Sequence, residues 1–150
     1  MKILVLYASL TGNTESMAEA VAEGIKAAGA EPVLKEVMDV QVADLLAYEG
    51  FVFGSYTWGD GELPDEFLDF YDDLEDVDLS GRKAGVFGSG ETAYVEFCAS
   101  VDLLSAKLAE RGAELVGEGL KIELNPAAAE KEACRELGRL VALAVFPASS

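Results

Sequence analysis

The stretch KILVLYASLTGNT, residues 2–14, runs an apolar segment straight into a loop of hydroxyls, an amide and a glycine. Lys2–Tyr7 reads as a strand. From Thr14 to about Ala28, Met17, Val21, Ile25 and Ala28 recur at helical spacing, which predicts an amphipathic helix. A strand that turns through a short polar loop into a helix is the opening unit of an α/β domain. The stretch then raises the question of what its loop holds.

The same alternation continues along the chain. Pro32–Val37 is a weaker second strand, and Val42–Tyr48 a short helix with Asp39 or Gln41 near its start. Phe51-Val52-Phe53 is a third strand, apolar throughout, as suits a parallel strand buried on both faces. Pro64–Leu74 is a helix with proline in its first turn, turning Phe67, Phe70, Tyr71 and Leu74 inward. Arg82–Gly88 holds the fourth strand. A helix over about Ser100–Arg111 buries Leu104 and Leu108, and Gly112 stops it. Leu115–Ile122 is the fifth strand, with Gly117 or Gly119 as its point of interruption. Pro126–Val145 is the last helix, with Leu137, Leu140, Val141 and Ala144 inward, and the tail Pro147–Ser150 frays. Five such units in 150 residues predict a single α/β domain over residues 1–150. It is a doubly wound, five-stranded parallel sheet with helices on both faces and right-handed crossovers.

Composition narrows the function. Just over half of the residues are hydrophobic, enough for a full core. The net charge, 11 − 28 = −17, leaves little cation to exchange for phosphate counterions, which argues against nucleic acid. An acidic protein docks instead on basic protein surfaces. The absence of histidine excludes chemistry built on a histidine base. Cys98 and Cys134 stand too far apart for a zinc motif. Cys134 shares a helix face with Leu137 and Val141, which favours core packing. No apolar run approaches the ~20 residues of a membrane span, and the N-terminus lacks a signal-peptide layout. A cytoplasmic monomer that binds no metal and no membrane is the expectation.

In a doubly wound sheet, ligands bind beyond the carboxyl ends of the strands. Three loops fall there. In the first, Ser9, Thr11, Asn13 and Thr14 offer neutral donors, Gly12 lets the backbone bend, and the following helix adds positive potential at its N-terminus. A capped turn explains the same residues, since Asn13 and Thr14 are good cap residues. With no P-loop lysine and no G-x-G-x-x-G pattern, a neutral cradle suits a single phosphomonoester. The second loop, SYTWGDGELP, carries Trp58, the one tryptophan, among loop residues instead of on a core period. It offers a flat stacking face, and Gly59 and Gly61 let the backbone change conformation. The third, SGETAYVEF, offers Tyr94, which could equally pack on the fourth helix. Taken together, the loops describe a site for a flat ring on a phosphorylated stem.

These motifs resemble those of the flavodoxins, over essentially the whole chain. SLTGNTE is similar to that family's phosphate loop, SYTWGDGELP to its first ring-binding loop and GSGETAYVEFC to its second. The resemblance implies strand order 2-1-3-4-5 with FMN at the switch point, an arrangement for which flavodoxin is the standing example. It also implies that Ser9, Thr11, Asn13 and Thr14, with backbone N–H groups around Leu10 and Gly12, bind the phosphate. Tyr56 and Thr57 line the site, with Thr57 beside phosphate or ribityl. Trp58 and Tyr94 flank the ring, and the Gly59-Asp60 peptide turns its carbonyl toward flavin N5. Ser89, Gly90 and Phe97 also belong to the cofactor site, and Glu91 and Cys98 contact the ring's pyrimidine edge mainly through backbone. Leu10 replaces a hydroxyl residue common in relatives, and Glu91 a frequent aspartate. The fifth strand lacks the long insertion of the larger subgroup, so the chain resembles the short-chain members.

The implied function is a low-potential one-electron carrier cycling FMN between semiquinone and hydroquinone, serving basic redox partners in transient, salt-sensitive complexes. Between residues 60 and 76 stand nine acids and no base; most suit a solvated helix face, while Asp60, Glu62, Asp65 and Glu66 come where they could rim the site. One carboxylate ~10 Å from a reduced, anionic flavin raises its energy by about 0.4 kcal/mol in water-like dielectric. Five would raise it by ~2 kcal/mol, or roughly 90 mV for one electron. The alternative is a small FMN-dependent quinone or nitro reductase, which needs room for substrate beside the ring, where Tyr94 would stand. A phosphoacceptor signalling domain shares the fold, but needs acids where this chain has Ala8-Ser9 and Gly54-Ser55.

Overall fold

The computed structural model of the chain describes residues 2–8, 13–56, 65–90, 99–116, 120–123 and 128–145. Strands β1 (Lys2–Tyr7), β2 (Glu31–Glu36), β3 (Gly50–Tyr56) and β4 (Lys83–Gly90) alternate with helices α1 (Asn13–Ala27), α2 (Asp65–Asp73), α3 (Ala99–Glu110) and α4 (Ala128–Val145). Short 3-10 turns cover Val37–Asp39, Val42–Ala47 and Leu74–Asp76. The strands pair in parallel in the order β2-β1-β3-β4, and the fifth position beside β4 is shared by β5 (Glu114–Leu115) and β6 (Leu120–Glu123). This is the expected 2-1-3-4-5 order.

Period-two alternation along buried strands builds a core on each face. Leu4, Leu6, Phe51, Phe53, Ala84 and Val86 face α2 and α3. Ile3, Val5, Tyr7, Val52 and Phe87 face α1 and α4. The segment after β3 is fastened by rings: Phe53 meets Phe70 edge-on at 5.7 Å, and Phe67 meets Phe70 at 6.0 Å with planes at 90°. Such pairs add about 0.5–1.5 kcal/mol beyond burial, so α2 is anchored just past the second loop.

At the fifth position Ala84 pairs with Leu115 and Phe87 with Leu120, and the two glycines expected to interrupt this strand, Gly117 and Gly119, lie outside the described residues. On α4, Leu137 and Val141 are buried as expected, but Leu140 is 38% exposed and Ala142 takes the inward place. The inward face of α4 is narrower than its apolar stripe because α1 packs so closely against it.

That close packing rests on glycine. A Cβ on Gly24 of α1 would run into the backbone carbonyl of Arg135, lying 2.7 Å from its carbon. A Cβ on Gly138 of α4 would do the same to Val21, at 2.9 Å from that carbonyl carbon. Arg135 then bridges the pair, its Nε 3.0 Å from Glu23 on α1 and its Nη1 2.9 Å from Glu132. Among the described residues, no helix is long and apolar enough to cross a membrane.

Candidate functional site

Parallel pairing brings three chain crossings to one edge. Tyr7 pairs with Gly54, Tyr56 with Ser89 and Gly90 with Glu123, so β1, β3 and β4 all finish on the same side. The chain runs from β1 to β2 on one flank and returns to β3 on the other. The switch point therefore lies between β1 and β3, where such sheets open a crevice. Helices α1, α2 and α3 begin on this edge, at Asn13, Asp65 and Ala99. Their first-turn N–H groups and dipoles favour an anion there.

The expected site residues divide accordingly. Asn13 and Thr14 form the first turn of α1, Tyr56 ends β3, and Ser89 and Gly90 end β4, all on the carboxyl edge. Ser9, Leu10, Thr11, Gly12, Thr57, Trp58, Gly59, Asp60, Glu91, Tyr94, Phe97 and Cys98 lie outside the described residues. So do Gly61 and Glu62. By sequence, the first turn of α1 carries an amide and a hydroxyl, Asn13 and Thr14, and the first-turn N–H groups of a helix have no intrahelical partner. That chemistry fits a phosphomonoester, and the crevice position fits a mononucleotide.

Several cations stand at the opposite edge. Lys2, Arg82 and Lys83 stand where strands begin, and Lys26, Lys107 and Arg111 at or just past the ends of α1 and α3. These cations thus lie on the amino edge, against the negative ends of the helices. Several are already engaged. Arg82 donates to the carbonyls of Leu46 and Tyr48 at 3.0 and 3.2 Å, and Lys83 pairs with Glu114. The depression of about 610 Å³ lined by Leu46, Tyr48, Glu49, Arg82 and Val145 is on that same amino edge, away from the loops. Among the described residues no group of three or more acid or cysteine ligands is placed to hold a metal ion.

Tyr7, Gly54 and Phe87 are register partners across β1, β3 and β4. Burial, followed by the carboxylates of Glu15, Glu36, Glu19 and Asp39, raises the Tyr7 phenol above its ordinary value of 10.0. Tyr7 therefore stays a neutral hydroxyl in any physiological buffer. The part played by Gly54 and Phe87 was not drawn from the sequence, although a glycine inside a strand commonly marks a close approach. Cys134 is fully buried in the α1–α4 core, as its helix-face position implied.

The comparisons agree with this geometry. A family model described as "Flavodoxin" matches residues 5–138. "Probable flavodoxin 2" of Bacillus subtilis (strain 168) is 49% identical over 139 residues, covering 92% of this chain and 92% of that protein. A flavodoxin of Maridesulfovibrio salexigens is 46% identical, covering 83% of this chain and 88% of its own. The crystal structure of oxidised flavodoxin 2 from Bacillus cereus superposes with a TM-score of 0.90 at 52% identity, covering 95% of this chain and 98% of that one.

Proposed function

The chain belongs to the flavodoxin family of FMN-binding electron carriers, and we propose that it is a low-potential, one-electron member of it. The observation that supports the reading is that β1, β3 and β4 end, and α1 begins, on one edge at the β1/β3 switch point. FMN supplies the redox chemistry when bound; the protein binds it and sets its energetics.

Ser9, Thr11, Asn13 and Thr14, with backbone N–H groups near Leu10 and Gly12, hold the phosphate through neutral donors. The helix dipole supplies the positive potential that a lysine supplies in P-loops. Trp58 and Tyr94 cover the two faces of the ring and exclude water from it. Tyr56, Thr57, Ser89, Gly90, Glu91, Phe97 and Cys98 complete the walls. The Gly59-Asp60 peptide offers a carbonyl to a protonated ring nitrogen. The acids from Asp60 to Asp76 disfavour added negative charge on the ring and so lower its potential.

The same acids attract basic redox partners into small, transient complexes. We take the protein as a cytoplasmic monomer of one domain, serving partner proteins instead of turning over a small substrate. Tyr94 over the outer ring face leaves no berth for a quinone or nitroaromatic, which disfavours the reductase alternative.

The test is direct. Apoprotein titrated with FMN should bind one equivalent and turn yellow, and potentiometric titration should resolve two separate one-electron steps. Failure to take up FMN at micromolar concentration overturns the binding site. A single two-electron step overturns the carrier cycle.

A further inference from the structure

We propose that Phe87 and Gly54 act as a positioning pair beneath the FMN phosphate loop, with position 54 held to glycine because the Phe87 ring occupies its side-chain space. The inference rests on the FMN reading above and extends it to residues outside the loops.

Gly54 lies between Tyr7 and Phe87 in a single row across the sheet. A Cβ there would collide with the tip of the Phe87 ring, coming within 2.6 Å of Cε1 and closer still to Cζ and Cε2. The ring thus lies flat over the strand backbone instead of standing off it. It is fully buried in the cluster that includes Met17, Ala18 and Val21 of α1. On this proposal the ring spaces α1 from the sheet near the helix end assigned to the phosphate.

Gly54 has a second connection to the same loop. Its carbonyl accepts the Ala8 N–H at 3.0 Å, one residue before the loop begins. The two ends of the loop, Ala8 and Asn13, are hence referenced to one point: Ala8 through the Gly54 carbonyl, α1 through the ring above it. Oriented neutral dipoles bind an anion well only if they are held in place beforehand. The pair supplies that order. Its signature is a preference for FMN over riboflavin, since only FMN presents the phosphate.

The experiment compares dissociation constants for FMN and riboflavin in the parent, Gly54→Ala, Phe87→Leu and the double variant. Gly54→Ala should weaken FMN by about tenfold, the scale of one charge-assisted hydrogen bond, with riboflavin nearly unchanged. Phe87→Leu alone, which leaves Gly54 intact and loosens the spacing, should lower the FMN-to-riboflavin preference in the same direction. Combining the two should restore much of what Gly54→Ala loses, because leucine vacates the place that Cβ needs. Equal loss of both flavins, an unchanged preference in folded Phe87→Leu, or no recovery in the double variant overturns the proposal. A parent protein that binds neither flavin overturns the FMN reading itself, and is told apart by that.

Discussion

Gly24 and Gly138 are reciprocal: each lets the other's helix bring its backbone into contact, Arg135 against Gly24 and Val21 against Gly138. The consequence has a definite sign. In an exposed helix interior, alanine in place of glycine would add up to about 1 kcal/mol of stability. Here Gly24→Ala and Gly138→Ala must instead force α1 and α4 apart, at a cost of about 1–3 kcal/mol. Urea unfolding of the apoprotein measures it. A gain in midpoint for either variant would show that the helices do not touch there.

Lys107 ties α3 to the end of α2. Although buried, it pairs with Glu75, lies 3.5 Å from Glu110 and sits 4.9 Å from the centre of the Tyr71 ring. The hydrogen bond from Lys107, then its charge, lowers the Glu75 carboxyl below its ordinary 4.5. The same hydrogen bond, followed by Glu110, raises Lys107 above 10.5 against the opposing effect of burial. A lowered acid stabilises above its unfolded value and loses that contribution as pH falls through the folded one. A raised lysine stabilises below its unfolded value and loses it as pH climbs through the folded one. Glu75→Gln should therefore lower the unfolding midpoint by a constant amount through the neutral range. The gap to the parent should close as pH falls through the lowered Glu75 value; a gap that stays constant down to strong acid rules the pairing out.

Trp58 is the only tryptophan, so intrinsic emission reports on one position. If it stacks on the ring, FMN should quench nearly all of it with a stoichiometry of one. Trp58→Ala should weaken FMN by about 1–3 kcal/mol, the scale of an aromatic stack on a flat heterocycle. Trp58→Phe should retain part of that. Emission that survives saturation with FMN would remove Trp58 from the site.

The charge of −17 predicts salt-sensitive partner reactions. Rates of electron transfer to a basic redox protein should fall steadily as ionic strength rises from about 0.01 to 0.15 M, where the Debye length shrinks from ~30 to ~8 Å. Neutralising Asp69, Asp72 and Asp73 on α2 together should flatten the dependence. A rate indifferent to salt would dispose of steering by these acids.

Local pattern carried most of the architecture. Lys2–Tyr7 and Phe51-Val52-Phe53 are so uniformly apolar that only a strand covered on both faces suits them, and the helices between follow from their period. Once strands and helices alternate, parallel pairing and right-handed crossovers leave few arrangements, and the three loops must share an edge. The candidate site was drawn from the sequence for a related reason: hydroxyls, glycines and a lone tryptophan follow the apolar runs instead of keeping a core period, and most of them lie outside the described residues.

Contacts between segments far apart in the chain were not readable, because they depend on distances that no local pattern encodes. Nothing near Gly24 announces Arg135, and nothing near Gly54 announces the ring of Phe87; each glycine is explained only by what packs over it. Leu140 fits the apolar stripe of α4 yet faces outward, since the approach of α1 decides which arc of the helix is covered. Lys107 reads as a surface lysine until Glu75, Glu110 and Tyr71 are brought around it. Periodicity specifies which face of an element is apolar; the partner that covers the face, and how closely, is set by packing among all of them at once.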